Sequence, residues 1–290
     1  MNKTYRTKPS DMIIMLFIIA VSITCLIPFM YITALSFSSN NAIISQKVML
    51  WPVEFTLETY KTILSDMDMI YALGYTIVLT VLYTIICMFL TICAAYPLTK
   101  KRLKGRNFVL SIMVFTMYFS GGLIPSYLLI KNLDMMNTIW SLILPGAMSV
   151  FNLIILKTFF QSLPESLEES ASIDGCSELG ILVRIVLPLS LPSIATLSLF
   201  YAVDRWNGFQ DALFYITDKN LYPMQLKLYQ IITANQLLDS QQGEGSSGNF
   251  IVPESLKAAS VMFATVPILL VYPKLQKYFV EGVMTGAIKG

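Results

Sequence analysis

Six long runs of this sequence contain no aspartate, glutamate, lysine or arginine. An α-helix needs about 20 apolar residues to cross the hydrocarbon core of a membrane, where the backbone must satisfy its own hydrogen bonds. The runs therefore predict an all-α, polytopic membrane protein with six transmembrane helices in a single domain, residues 1–290. We place the spans at about 12–35, 70–98, 107–130, 136–160, 187–208 and 256–274.

Four prolines lie in or beside these runs, at Pro125, Pro145, Pro192 and Pro267. Proline lacks an N–H donor and clashes with the preceding turn, so each is expected to kink or start a helix. Membrane helices tolerate such breaks when neighbouring groups satisfy the freed backbone.

Composition excludes several classes of function. Only 13% of the residues are charged, against about 25% in typical soluble chains. The chain has no histidine, which removes Ser-His-Asp catalysis and most zinc sites. The spans also contain no pair of carboxylates, which argues against a membrane-embedded enzyme. The net charge of +2 does not indicate a nucleic acid partner, and the four cysteines are interpreted as small apolar packing residues.

The first span follows a basic tail that contains Lys3, Arg6 and Lys8. The apolar run Met12–Leu35 is longer than the ~7–15 residues of a signal-peptide core. We therefore interpret it as an uncleaved membrane helix.

Basic residues gather in three segments that six spans would put on one side of the membrane. They are the N-terminal tail, the sequence KKRLKGR between the second and third spans, and the C-terminal tail. Since lysine and arginine favour the cytoplasmic side, we expect both termini to be cytoplasmic. The loop 162–188 would then face the cytoplasm, and the segment 211–254 would face outside.

The loop 162–188 is the most acidic part of the chain. Ser162 fits an N-cap, with Pro164 in the first turn and Glu165 at the capping-box position. Gly175 suits a left-handed end of that helix.

A second short helix is expected from Ser177 to Val186, because its apolar residues recur at helical spacing. Pro188 would end it and start the fifth span. The loop is thus predicted to be two short helices around a glycine turn.

This loop resembles the EAA signature of ABC importer permeases, which reads Glu-Ala-Ala, three residues, Gly, nine residues, Ile, any residue, Leu-Pro. Here Glu169-Ser170-Ala171 is followed at the same spacing by Gly175 and Ile185-Val186-Leu187-Pro188. Only Ser170 departs, and it is also small. Three further stretches resemble the maltose-type carbohydrate importer family, nearest its oligosaccharide and aldouronate-type subgroup. They are WPVEFTLETYKTIL, YFSGGLIPSYLLIKNLDMMNTIWSLILPG and GVMTGAIKG.

The resemblance implies the type I ABC importer permease fold and one half of a heterodimeric channel in the bacterial cytoplasmic membrane. The implied partners are a homologous sister permease, two cytoplasmic ATPase subunits, an external solute-binding protein and an oligosaccharide. ATP and Mg²⁺ would be used by the ATPase, and this chain has no GxxxxGK[ST] phosphate loop. No cofactor or metal is expected on it.

The resemblance also implies that Glu165–Gly175 is a coupling helix that docks in a groove of the ATPase. Glu169 would accept charge-assisted hydrogen bonds there, Ala171 would allow close approach, and Gly175 would supply the turn. The implied coupling residues are Glu165, Glu168, Glu169, Ala171, Asp174, Gly175, Leu187 and Pro188.

Two further groups of residues are candidates for contacts. At the outer end of the fifth span, Trp206 could stack on a sugar and Asn207 could bind its hydroxyls. An interfacial anchor with Asp204 and Arg205 in water is an equal alternative. The candidates for the substrate path are Asp204, Arg205, Trp206, Asn207, Tyr118, Tyr127 and Asn152. The candidates for the binding-protein contact, in the loop 211–254, are Gly243, Glu244, Gly245, Ser246 and Gly248.

Two alternatives stay open. One is an ABC importer permease for a non-sugar solute. The other is a secondary transporter, which is less favoured because the strong runs are uncharged at their centres, whereas such proteins carry ionisable residues in mid-membrane.

Overall fold

The computed structural model describes residues 9–241 and 253–287, and the regular structure in these ranges is helical. The chain forms two compact units, one of Met1–Met69 with Leu228–Val266 and one of Ile70–Lys227 with Pro267–Gly290. The α-helices are α1 (Pro9–Ser36), α2 (Asn40–Ile44), α3 (Glu58–Ser65), α4 (Met67–Thr99), α5 (Arg106–Tyr118), α6 (Leu123–Asn132), α7 (Trp140–Ile143), α8 (Val150–Ser162), α9 (Glu165–Ile173), α10 (Glu178–Ile181), α11 (Leu187–Leu189), α12 (Leu191–Asn207), α13 (Gln210–Tyr215), α14 (Met224–Gln241) and α15 (Pro253–Ala287).

Two described helices are long and apolar enough to cross a membrane, α1 from Asp11 to Ser36 and α4. Three pairs of helices reach that length only together, because each pair is bent at a short break. The bends are 114° between α5 and α6, 54° between Trp140–Gly146 and α8, and 81° between Glu178–Leu189 and α12. If each pair is one span, the described residues contain up to five. The predicted span 256–274 lies within α15 and stays a prediction.

The breaks follow from local backbone chemistry. Gly122 precedes α6 with a φ of +86°, a conformation that other residues rarely adopt. Pro145 lies in the 3₁₀ turn Leu144–Gly146 that follows α7, and Pro192 lies in the first turn of α12. Pro267, by contrast, lies inside α15.

The second unit is held together by a buried core and by tyrosine hydroxyls at the α7–α8 break. Tyr83 Oη donates to the Gly146 carbonyl at 2.9 Å. Tyr201 Oη accepts from the Ser149 amide at 3.0 Å and lies 2.7 Å from Thr91 Oγ1. These contacts satisfy backbone groups that the broken helix leaves without a regular partner.

The first unit contains an ordered segment between α1 and α4. Ser38 Oγ accepts from the Val53 amide at 3.0 Å, and Phe37 stacks on Tyr60 with 4.9 Å between ring centres. Tyr60 Oη donates to Ser36 Oγ at 2.9 Å. This segment between α1 and α4 therefore has its own local packing.

We expect Tyr201→Phe to destabilise the protein by about 0.5–1.5 kcal/mol, because it removes the acceptor of the partly buried Ser149 amide. Thermal unfolding of the detergent-solubilised protein measures this loss. Tyr118→Phe is the matched control, since Tyr118 is 80% exposed. An equal effect of the two substitutions would contradict the role of the Tyr201 hydroxyl.

Candidate functional site

Helix α9 coincides with the predicted coupling helix, but it begins differently from the prediction. Its N-cap is Pro164, which makes no side-chain capping bond. Ser162 instead ends α8, where its Oγ donates to the Phe159 carbonyl at 2.7 Å. The predicted cap at Ser162 is therefore wrong, because Leu163 precedes a proline and is extended, which separates the two helices.

The end of α9 confirms the predicted glycine turn. Gly175 has a φ of +82°, and its amide donates to the Ser172 carbonyl at 3.1 Å. The Cys176 amide donates to the Ala171 carbonyl at 2.9 Å. This pair of bonds is a Schellman motif, which strongly favours glycine at its left-handed position.

The second helix of the loop runs from Glu178 to Leu189, beyond its predicted end at Val186. It contains a π turn at Leu182–Val186, and Pro188 follows that turn without ending the helix. The predicted stop at Pro188 is therefore wrong. The wider turn before Pro188 accommodates a residue without an N–H donor. The chain bends instead at Ser190.

The basic segment after α4 lies against this acidic loop. Lys100 Nζ donates to Glu168 Oε2 and lies 3.6 Å from Glu178 Oε2. Arg102 Nη2 donates to Glu178 Oε1, and Tyr96 Oη donates to Glu178 Oε2 at 3.3 Å. Burial alone would lower the pKa of Lys100, but hydrogen bonds and charge attraction from Glu168 and Tyr96 together outweigh it and raise that pKa.

Lys101 adds a more exposed pair, because its Nζ donates to Glu165 Oε1 at 2.7 Å and lowers the pKa of Glu165. Burial would raise the pKa of Glu178, but the nearby basic charges lower it. Both glutamates thus contribute stability above the ordinary glutamate pKa, and it is lost as the pH falls through their lowered values. We define the ion-pair clasp as Lys100, Lys101, Arg102, Glu165, Glu168 and Glu178.

The clasp leaves part of the exposed surface of α9 free. Glu169 is exposed, and within the described ranges no residue forms an ion pair or hydrogen bond with it. Ile173, at the end of the helix, is 86% exposed, and Asp174 is exposed as well. This free face combines negative charge with one apolar side chain.

Ala171 differs from its expected role. It is 8% exposed and belongs to the core of its own unit, together with Phe160 and Ile181. Its small side chain therefore permits close packing within this chain. Leu187 is half-buried and Pro188 is exposed.

A polar cleft of about 450 Å³ lies beside α9. Its lining includes Lys101, Glu165 and Glu169, with Phe160 at an apolar part of the wall. The cleft therefore places the free carboxylate of Glu169 next to the clasp.

Arg205, a candidate for the substrate path, holds its own unit together. It is 5% exposed, and its Nη1 donates to the Leu142 carbonyl at 2.9 Å. Its Nη2 donates to the Gly208 carbonyl at 3.1 Å and to Asp211 Oδ1 at 2.9 Å, while Nη1 also pairs with Asp211 Oδ2. The expectation that Arg205 lies in water is therefore wrong, because acceptors within the chain occupy both terminal nitrogens.

Trp206 is also buried, at 7% exposure, so its ring is not free to stack on a sugar in this structure. Asp204 and Asn207 are exposed. Asn207 Nδ2 donates to the Val203 carbonyl at 2.9 Å, which leaves its Oδ1 as the available acceptor. Asp204 and Asn207 remain candidates.

The other three candidates for the substrate path lie in different surroundings. Tyr118 is 80% exposed at the end of α5. Tyr127 is half-buried and stacks on Tyr215, with 6.5 Å between ring centres. Asn152 is 5% exposed. The structure therefore leaves Tyr118 the most accessible of the three.

Sequence reasoning missed Asn137, which ties two connections together. Its side-chain Oδ1 accepts from the backbone amides of Thr217 and Asp218 at 2.6 and 3.0 Å. Its backbone amide donates to the Tyr215 carbonyl at 3.0 Å. Its φ of +55° is a conformation that asparagine adopts more readily than most residues. No local sequence signal marks it, because Thr217 and Asp218 lie 80 and 81 residues later in the chain.

The predicted binding-protein contacts, Gly243, Glu244, Gly245, Ser246 and Gly248, lie outside the described residues. Across the part of the chain that the structure describes, no three histidine, cysteine, aspartate or glutamate residues are grouped to hold a metal ion.

Comparisons with known proteins place these features in context. The sequence model described as "Binding-protein-dependent transport system inner membrane component" matches residues 89–285. The chain is 44% identical to the polygalacturonan/rhamnogalacturonan transport system permease protein YtcP of Bacillus subtilis (strain 168), over 97% of this chain and 98% of that protein. It is also 44% identical to Protein LplC of the same strain, over 100% of this chain and 98% of that protein.

A solved structure has the same fold over nearly the whole chain. It is a bacterial ABC transporter involved in the import of the acidic polysaccharide alginate. The match has a TM-score of 0.84 and 30% identity, and it covers 95% of this chain and 100% of the other.

The clasp predicts a measurable coupling between Lys100 and Glu168. We expect a double-mutant cycle of Lys100→Gln and Glu168→Gln to give an interaction energy of about 0.5–3 kcal/mol, because Lys100 is largely buried. Thermal unfolding of the four variants measures it. The matched control is the exposed pair Lys101 and Glu165, for which we expect a smaller interaction energy because solvent screens it. A larger coupling in the exposed pair would refute this ranking.

Proposed function

Because this chain belongs to the family of binding-protein-dependent transport system inner membrane components, we propose that it is the permease subunit of an ATP-driven oligosaccharide importer. A chain of this family is a transport subunit in the membrane and not an enzyme. The family also decides against the secondary transporter. The free face of α9, beside the occupied glutamates of the clasp, is the observation that carries the coupling role.

The substrate is proposed to be an acidic oligosaccharide. One relative is named for polygalacturonan and rhamnogalacturonan transport, and the structural neighbour imports an acidic polysaccharide. These two support a sugar over a non-sugar solute. Arg205 is already neutralised by Asp211 and does not supply charge recognition. Selection of the acidic sugar is therefore assigned to the external binding protein.

The partners are proposed to be a homologous sister permease, two cytoplasmic ATPase subunits and an extracytoplasmic solute-binding protein. ATP and Mg²⁺ belong to the ATPase subunits. The positive segments favour cytoplasmic termini and a cytoplasmic α9. The loop that contains Gly243–Gly248 is assigned to the binding protein, since it lies in the predicted outside segment.

In this mechanism α9 transmits the closure of the ATPases. Glu169 accepts hydrogen bonds from the ATPase groove, while Ile173 supplies an apolar contact. The clasp joins α9 to the end of α4, so a displacement of α9 is passed to a membrane helix. The transporter thereby shifts between inward-open and outward-open populations.

The sugar path in this subunit is assigned to exposed polar groups. Asp204 and Asn207 lie near the end of α12, and Tyr118 lies at the end of α5. Their exposure leaves them free to bind hydroxyl groups, unlike Arg205 and Trp206.

We expect Glu169→Lys to abolish sugar-stimulated ATP hydrolysis while the subunit still folds. The substitution removes an acceptor of charge-assisted hydrogen bonds, each about 1.5–3 kcal/mol, and places a cation on the docking face. ATPase assays of the reconstituted transporter measure it. Glu58→Lys is the control, because Glu58 is also exposed but lies in α3. Normal stimulation and assembly with Glu169→Lys would refute the coupling role.

We expect binding protein loaded with an acidic oligosaccharide to stimulate ATP hydrolysis severalfold in proteoliposomes. An oligogalacturonide is the test sugar, a neutral maltodextrin is the comparison, and binding protein without sugar is the control. Stimulation should be weaker with the neutral sugar. Stimulation by an amino acid, with none by either sugar, would exclude the proposed substrate class.

A further inference from the structure

A second cleft, of about 670 Å³, lies at the end of α4 beside the basic segment and the helix that starts at Glu178. It shares Lys100, Arg102 and Glu178 with the polar cleft beside α9, but the rest of its lining is different. Its volume lies within the roughly 300–1,000 Å³ of sites that bind small molecules.

The floor of this cleft is apolar and accessible. Cys93 and Pro97 come from the last turns of α4, while Leu179 and Leu182 come from the helix opposite. Leu179 is 70% exposed, and Leu103, in the basic segment, is 41% exposed. Such side chains at the end of a membrane-crossing helix suit contact with hydrocarbon better than contact with water.

The rim of the cleft is basic. Lys100, Arg102 and Lys104 line it, against the single acid Glu178, so three positive charges and one negative charge leave a net charge of +2. Lys100 and Arg102 already bind glutamates of the clasp. Lys104 is exposed, and within residues 9–241 and 253–287 no group forms a hydrogen bond or ion pair with it. One cation of the rim is therefore available to a ligand.

The position of the cleft selects among anionic ligands. The basic segment begins at the residue after Thr99, where the apolar helix α4 ends. A charged rim next to an apolar floor at that depth matches a molecule with an anionic headgroup and a hydrocarbon chain. Basic pockets between membrane helices on the cytoplasmic side bind such lipid headgroups.

We propose that this cleft is a binding site for one anionic phospholipid. The headgroup phosphate lies at Lys104, and an acyl chain follows the apolar floor past Leu179, Pro97 and Cys93. This site is separate from the free face of α9, and it does not depend on the nature of the transported solute.

Native mass spectrometry of the assembled transporter in detergent tests the site. Phosphatidylglycerol is added to one sample and phosphatidylcholine to another, and the retained lipid is titrated. We expect the wild type to prefer phosphatidylglycerol. Lys104→Gln should weaken its binding about fivefold, which corresponds to the roughly 1 kcal/mol that one basic residue contributes near an anionic surface. Binding of phosphatidylcholine should not change.

Two further variants make the result specific. Leu179→Gln should weaken the retention of phosphatidylglycerol by making the floor polar, while Lys131→Gln should leave it unchanged, because exposed Lys131 lies at the end of α6. Equal retention of the two lipids by the wild type would overturn the proposal. An equal loss with Lys131→Gln would overturn it as well.

Discussion

A backbone that crosses lipid must find its hydrogen-bond partners within the protein, and broken helices make this requirement demanding. The carbonyl of Gly146 and the amide of Ser149 lie at such a break, and the hydroxyls of Tyr83 and Tyr201 bind them. Gly146 must be small, because a Cβ atom there would lie 2.6 Å from the Tyr83 hydroxyl. Arg205 similarly binds backbone carbonyls between helices. The core that supports α9 depends on these side chains.

The features of this fold that depend only on neighbouring residues can be predicted from the sequence. Runs without charge predict membrane helices. Gly175 predicts the left-handed turn because glycine has no Cβ atom, and the backbone there does have a positive φ. Local rules also failed where two of them competed. Serine is a favoured N-cap residue, yet Ser162 is the last residue of α8, because Pro164 makes Leu163 extended and α9 begins only at Glu165. Proline usually breaks a helix, yet the π turn before Pro188 accommodates it.

The contacts that define the site are not local, and sequence patterns do not reveal them. Lys100 and Glu168 are 68 residues apart, and Arg102 and Glu178 are 76 apart. The charge of Arg205 at the end of a span resembles an exposed anchor, and only the tertiary structure shows that Asp211 binds it in a buried position. An ion pair with a buried arginine adds little net stability, because the loss of hydration offsets much of the attraction.

Ala171 and Glu169 belong to one three-residue sequence, yet Ala171 is buried in the core and Glu169 is exposed. A peptide of residues 162–188, cut from the protein, would keep every letter of the signature but lose the pocket for Ala171. It would also lose the lysine and arginine partners, the nearest of which lies 64 residues upstream of its glutamate. The shape of the loop is therefore a property of the whole unit. Grafting these residues onto another scaffold would keep their sequence but not their conformation.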